Sequence, residues 1–298
     1  MQVHFGESVL EYPSERFGQL TDSGPLVEDR DALRERFDRD GYLYLSGFID
    51  AHKVIDARAR ILDYMAEREA LVPGQPVLDG VMPKGGKTVS MMGRNPITTD
   101  PAVLRALEAE ELFEFFTGFY GEPPLTFDYK WLRAVGNEGF TGSHFDVVYM
   151  GRGSLNVNTV WIPLGDIPVA HGTLAICEGS HRAPEFERLR ATYGQMDVDR
   201  DNIQGWFSEN PEEILDKFGG TWLTTDFKPG DILTFGLYTL HASTTNTTNR
   251  FRLSCDVRFQ PKSEPADERW IGSNPKGHYA WSKTPGITMA EARERWGV

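Results

Sequence analysis

Cysteine is scarce in this chain: its 298 residues hold two, Cys177 and Cys255, each within an apolar, strand-like run. Neither belongs to a Cys-x-x-Cys pair, so a thiolate zinc site or an iron–sulfur cluster is excluded by count. Two buried, reduced thiols are expected rather than a disulfide. Basic charge is also short. There are 44 acidic residues against 31 Lys and Arg, a formal net charge of −13. This argues against nucleic acid or an anionic membrane surface as main partner, because phosphate contacts need clustered Lys and Arg. No apolar run reaches the roughly 18 residues that would span a bilayer. The opening Met1-Gln-Val-His-Phe-Gly-Glu has no basic stretch followed by an apolar one, so no secretory signal is visible. A cytoplasmic protein is expected. What is present is a folded composition, 40% hydrophobic and 12% aromatic, with enough chain for a sizeable core.

Pattern divides the chain into layers of one domain, 1–298. Residues 1–27 read as an irregular arm. Leu33 and Phe37 mark an amphipathic helix over 28–39 that Gly41 ends, residues 42–45 form a strand, and Asp50 caps a helix reaching about Leu71. Residues 72–98 are a Gly- and Pro-rich loop carrying Lys84, Lys87 and Arg94. A helical region follows, with Phe113, Phe115, Phe116 and Phe119 as core, so 1–120 is a mainly helical N-terminal layer. From 125 to 261 the pattern changes to short strands with Gly, Pro and Asn turns. These are expected at 125–135, 145–150, 156–163, 172–178, 221–226, 231–234, 238–242 and 252–259. This is a mainly β sandwich or barrel of the jelly-roll kind, packed against the N-terminal helices. Residues 183–219 interrupt it with a helix at 184–193 and an acidic segment, placed where a lid would arise. Residues 262–298 form a C-terminal tail.

The chemistry centres on Thr141-Gly-Ser-His144-Phe-Asp146-Val-Val-Tyr149, read as a strand. His144 and Asp146 then share a face and aim at one point. They are two thirds of a 2-His-1-carboxylate set, which holds non-heme Fe(II) and leaves positions open. Among the seven histidines, His241 is the candidate third ligand, because it ends a strand that opens at the turn Pro229-Gly230. His171 and His181 are not ligand candidates. Beyond His241, Arg252 and Ser254 share one strand face while Phe251, Leu253 and Cys255 take the other. A buried guanidinium needs an anion, and this one is placed to grip the far carboxylate of a dicarboxylic co-substrate, with the serine hydroxyl adding a bond. Tyr149 is expected to line the pocket. Lys130 and Arg133, on the strand entering the site, are expected as solvated or paired charge, although one could face an anion. Lys84, Lys87 and Arg94 are weaker candidates for meeting an anionic substrate.

The set His144-x-Asp146, His241, Arg252-x-Ser254 resembles the Fe(II)/2-oxoglutarate-dependent oxygenases of the phytanoyl-CoA dioxygenase (PhyH) family. Two more stretches are similar to that family over residues 30–262: Val160-Trp161-Ile-Pro-Leu-Gly-Asp166, and Gly172-Thr-Leu-Ala-Ile-Cys-Glu-Gly179-Ser-His181. In the second, Glu178 stands where proline is usual, which bears on turn stiffness and not on chemistry. The resemblance implies a double-stranded β-helix core with Fe(II) on His144, Asp146 and His241. It implies 2-oxoglutarate and O2 as co-substrates, with Arg252 and Ser254 on the 5-carboxylate and Trp161 near the co-substrate. The expected reaction hydroxylates or otherwise oxidises a small or medium-sized organic molecule, with 2-oxoglutarate going to succinate and CO2. Asp146 stands where halogenating relatives have a small residue, which favours hydroxylation. The residues alone leave two alternatives: a zinc-dependent cupin-type hydrolase or isomerase, and a jelly-roll binding module without turnover. Arg252 separates the first, since a zinc hydrolase has no need of a carboxylate clamp beside the metal.

Overall fold

The computed structural model describes residues 1–280 and 287–298. Its first strands lie where an irregular arm was expected. β1 (Gln2–Phe5) and β2 (Ser8–Glu11) make a hairpin, and β3 (Phe17–Gln19) joins a sheet edge. The signal is a short alternation: Val3, Phe5, Leu10 and Tyr12 are buried, and Phe5 stacks on Phe17 at 5.1 Å.

Helix α1 (Arg30–Asp40) starts at Asp29, whose carboxylate accepts the Ala32 N–H, and stops at Gly41 in the left-handed region. β4 (Tyr42–Leu45) leads to α2 (Ala51–Ala66), capped by Asp50. This helix ends before Leu71 because the Ala70 N–H turns back to the Met65 carbonyl, with Glu69 at φ 58°. Within the loop that follows, β5 (Val89–Ser90) pairs briefly, and then come α3 (Pro101–Leu107) and α4 (Glu110–Tyr120).

The rest alternates strands with short helices: β6 (Pro124–Thr126), β7 (Trp131–Val135), α5 (Val147–Met150), β8 (Asn158–Pro163), β9 (Leu174–Cys177), α6 (Glu187–Ala191), α7 (Pro211–Phe218), β10 (Trp222–Thr224), β11 (Ile232–Gly236), β12 (His241–Ser243), β13 (Arg252–Pro261) and α8 (Met289–Trp296). The larger sheet runs β4-β11-β8-β13-β7-β5, with β6 also on β13, and the smaller runs β12-β9-β10-β3. Every pairing but β10 with β3 is antiparallel. This is the jelly roll, a double-stranded β-helix with flanking helices.

Two expected strands differ, and so does the run read through to His241. The segment 125–135 is two strands, because Phe127–Lys130 leave the ladder. The segment 145–150 turns at Asp146 into α5, and only His144 before it bridges to a strand. The run 230–241, read as one strand behind His241, is divided, as the separate segments 231–234 and 238–242 require. β11 lies in the large sheet and β12 in the small one, with a turn closed by the Thr239 N–H on the Gly236 carbonyl at 3.0 Å. His241 therefore opens a strand instead of ending one. The expected tail at 262–298 is structured among its described residues: Trp270 is fully buried and α8 packs through Met289 and Ala292. The 184–193 helix is a 3-10 turn followed by α6.

Alternation in β13 separates the two sides of the large sheet. Leu253, Cys255, Val257 and Phe259 face the helical layer, packing with Ile61 and Leu62 of α2 and with Phe116 of α4, whose ring stacks on Phe259 at 4.7 Å. Burying such faces drives the layering at roughly 25 cal/mol per Å² of apolar surface. Between the sheets, Tyr42, Trp161, Leu233 and Phe235 meet Leu174, Ile176 and Leu223. The polar face of β13, Arg252 to Arg258, looks inward. Cys177 and Cys255 are buried free thiols.

Candidate active site

An antiparallel bridge sets two histidines opposite each other. The His144 N–H donates to the His241 carbonyl at 3.0 Å, and the His241 N–H returns the bond at 3.1 Å. Their rings lie 4.1 Å apart. In each, Nδ1 donates to a backbone carbonyl two residues earlier: Gly142 at 2.8 Å for His144, Thr239 at 3.0 Å for His241. A carbonyl can only accept, so the proton sits on Nδ1 and the Nε2 lone pair is free. Asp146 follows His144 as the chain turns into α5, and its Oδ1 lies 3.7 Å from His144 Nε2 and 3.8 Å from His241 Nε2. The three donor atoms fall within 4.8 Å of one another, all buried. Convergence comes from a bridge and a turn, not from strand alternation.

The outer oxygen of Asp146 is held from behind. Oδ2 accepts from the Thr159 hydroxyl on β8 and from Arg258 Nη2 at 3.1 Å. Arg258 lies over the Trp131 ring at 4.4 Å. Burial would raise the Asp146 pKa, but Arg258, the two histidines and the Thr159 bond hold it below the usual carboxylate range. Burial, reinforced by His241, pushes the His144 imidazole down to about 3, and burial also lowers His241. The set at neutral pH is therefore two neutral imidazoles and one carboxylate, the donor chemistry that suits a divalent iron.

Further along β13, Arg252 is 3% exposed and donates to the Ser254 hydroxyl, while its Nε is buried without a hydrogen-bond partner. Its guanidinium lies 5.8 Å from the buried Trp161 ring. No carboxylate among the described residues stands within ion-pair distance of it, and burial drags its pKa down to about 9. An orphaned donor on a buried cation fits an anion that the protein does not supply.

The triad opens into a cavity of about 960 Å³. His144 and Asp146 form part of its wall with Trp131, Arg133, Tyr149 and Arg258. Residues 202–210 of the insertion cover it, anchored by the Ser143 N–H on the Ser208 carbonyl at 2.7 Å. Gly205 is required there, because a Cβ would collide with the Tyr149 hydroxyl. The C-terminal segment closes another side through His278, Ala280 and Met289.

Residues 126–254 match the family described as Phytanoyl-CoA dioxygenase (PhyH). Over those residues the chain is similar to the phytanoyl-CoA dioxygenase family. It is an iron- and 2-oxoglutarate-dependent oxygenase. A 1-deoxypentalenic acid 11-beta-hydroxylase of Streptomyces arenae is 26% identical over 268 residues, covering 84% of this chain and 88% of the relative. Among solved structures, the epimerase SnoN from nogalamycin biosynthesis, in complex with Fe3+, alpha-ketoglutarate and nogalamycin RO, aligns with a TM-score of 0.53 and 20% identity. The alignment covers 87% of this chain and 91% of SnoN. EctD from S. alaskensis, with 2-oxoglutarate and 5-hydroxyectoine, aligns at 0.54 with 19% identity over 86% of this chain and 84% of EctD. At such identities the structures share the fold.

Within this jelly-roll fold, the other sequence candidates separate. Tyr149 does line the cavity. Lys130 is 1% exposed and paired with Glu108 at 2.7 Å, away from any ligand role. Lys84, Lys87 and Arg94 are exposed and do not line the cavity. His171 bonds to the Arg250 carbonyl, and His181 to the Asp38 carbonyl. Thr159, Arg258 and His278 were missed. Arg258 carries the same signal as Arg252, a cation in an apolar strand, three periods of the alternation further on. Thr159 and His278 carry none, because only the fold brings them to the site.

Proposed function

We propose that this oxygenase holds Fe(II) on His144, Asp146 and His241, grips the 5-carboxylate of 2-oxoglutarate with Arg252 and Ser254 beside Trp161, and hydroxylates a small or medium-sized organic molecule. The observation that carries it is the pairing of a preorganised two-imidazole, one-carboxylate set with a buried guanidinium whose Nε has no partner. When bound, the iron with 2-oxoglutarate and O2 supplies the oxidation, yielding succinate, CO2 and an oxidised substrate. The chain's residues do the rest. Thr159 and Arg258 keep Asp146 in one rotamer, and the Gly142 and Thr239 carbonyls keep both imidazoles in the ligating tautomer. Residues 202–210 act as a lid that excludes water from the chamber. Glu7 near one end of the chain and Arg293 near the other both line that chamber, which supports a single catalytic unit over 1–298. The hydroxylase relatives, named for an acid substrate, support hydroxylation of a small organic molecule. Two unpaired thiols fit a reducing, cytoplasmic setting.

The test is anaerobic titration of the apoprotein with Fe(II) and then 2-oxoglutarate, following the visible metal-to-ligand charge-transfer band. A band that needs both, and is absent in His144→Ala and Asp146→Ala proteins that remain folded, supports the assignment. No band with tight zinc binding would remove it.

A further inference from the structure

We infer that the substrate is a carboxylic acid, held in the chamber by the Arg133 guanidinium with Arg258 beside it. This rests on the oxygenase reading above and names the substrate class of that same site. Arg133 on β7 sits directly across from Ser254, so its side chain shares the inward face of β13. Its Nη2 donates to Asp256 Oδ2 at 3.1 Å, while its Nε is buried without a hydrogen-bond partner. Arg258 gives Nη2 to Asp146, and its Nη1 is also buried and unbonded, 3.9 Å from the same Asp256 oxygen. Both arginines line the cavity. Two guanidiniums thus share the single carboxylate of Asp256, since Asp146 is committed to the metal site.

Charge balance points the same way. On the inner face, Arg133, Arg252 and Arg258 meet Asp146 and Asp256. A ferrous dication and a 2-oxoglutarate dianion cancel each other, which leaves one positive charge in a partly dry site. The other acids on the cavity wall do not neutralise it. Glu7 and Glu209 are exposed, and Glu213 is taken by Arg293, Lys217 and the Ser208 hydroxyl. A single carboxylate matches both the charge and the planar fork. The remaining wall, with Met92, Trp131, Ile203, Trp206, Phe207 and Met289, suits an apolar skeleton. A CoA thioester fits poorly, because its phosphates would need several free cations and Arg293 is already paired.

Iron-loaded protein with 2-oxoglutarate, kept anaerobic, is titrated with matched probes: dodecanoic, adamantane-carboxylic and decalin-carboxylic acids and the methyl ester of each. Perturbation of the charge-transfer band reports binding, and succinate formation in air reports coupling. At least one acid is expected to bind, with its ester weaker by about tenfold or more. Arg133→Gln should erase that preference while leaving 2-oxoglutarate affinity, measured without acid, unchanged. Equal binding of acid and ester, or no perturbation by any acid, overturns the inference. So does a loss of about tenfold in 2-oxoglutarate affinity in Arg133→Gln, which would assign the guanidinium to the co-substrate's own carboxylate. A wild-type protein that gives no band with iron and 2-oxoglutarate fails at the earlier step instead.

Discussion

Replacing Arg252 by methionine should have opposite effects on the free and the ligand-bound protein. In the free protein, Arg252 is a cation 3% exposed, with Ser254 as its hydrogen-bond partner and an unsatisfied Nε. Burial, with Arg133 close by, brings its pKa down to about 9, still high enough to leave it charged at neutrality. Exchanging uncompensated buried charge for an apolar side chain of similar length is often stabilising, by about 1–4 kcal/mol. The iron-free variant should therefore unfold a few degrees higher than wild type, or at higher urea. With 2-oxoglutarate the sign reverses. Removing one partner of a buried, charge-assisted pair costs about 2–5 kcal/mol, and each 1.4 kcal/mol or so is tenfold. The variant should bind 2-oxoglutarate roughly 30-fold to a few thousand-fold more weakly while still taking up iron. Thermal unfolding of the apoprotein and anaerobic titration of the iron-loaded protein measure the two effects separately. A variant that is less stable without ligand, yet binds 2-oxoglutarate within about threefold of wild type, would show that Arg252 is an ordinary structural cation.

Other expectations follow from neighbouring groups. Thr159→Val keeps the shape of β8 but removes the hydroxyl donated to Asp146 Oδ2, and should weaken iron by about 10–100-fold without unfolding the protein, as titration would show. Asp199 accepts from Arg269, His278 and the Tyr279 and Ala280 N–H groups, joining the insertion to the C-terminal wall. Asp199→Ala leaves Arg269 its pair with Asp267 but strips the acceptor from the buried Ala280 N–H and from its neighbours, and should cost about 1–3 kcal/mol in urea unfolding, with earlier proteolysis after residue 262. His171 is pushed down to about 4, chiefly by burial. A base whose folded pKa lies below its unfolded value of 6.5 adds stability above that value, and the contribution is lost as pH falls towards 4. That amounts to about 3 kcal/mol at some 1.4 kcal/mol per unit. His171→Asn should therefore flatten the acid limb of the apoprotein's stability profile, and an unchanged slope would contradict the assignment.

Legibility in the sequence follows the range of the interaction. The pair His144 and Asp146, the later His241 and the Arg252-x-Ser254 step were visible because their chemistry shows in local spacing and in the misfit of a cation among apolar strand residues. The free thiols, the cap at Asp50 and the jelly-roll class were visible for similar reasons. The strand assigned to His144 and Asp146 was not there. A one-residue bridge and a helical turn do the converging, and strand periodicity is blind to both. The run through His241 was split for a related reason: an apolar stretch crossing a corner looks continuous until two sheets claim its halves.

The sequence by itself thus determined which donor atoms are on offer and the class of chemistry, since both follow from residue type and short spacing. Tertiary structure decided how they are held and what they face. Thr159 and Arg258 reach Asp146 only through the register of β13 with β8, and Arg133 meets Asp256 only through its register with β7. Residues 202–210 and the segment around His278 meet over the same cavity from distant parts of the chain. Cross-strand register is a collective outcome of packing both faces of the sheet, and no local window of sequence contains it.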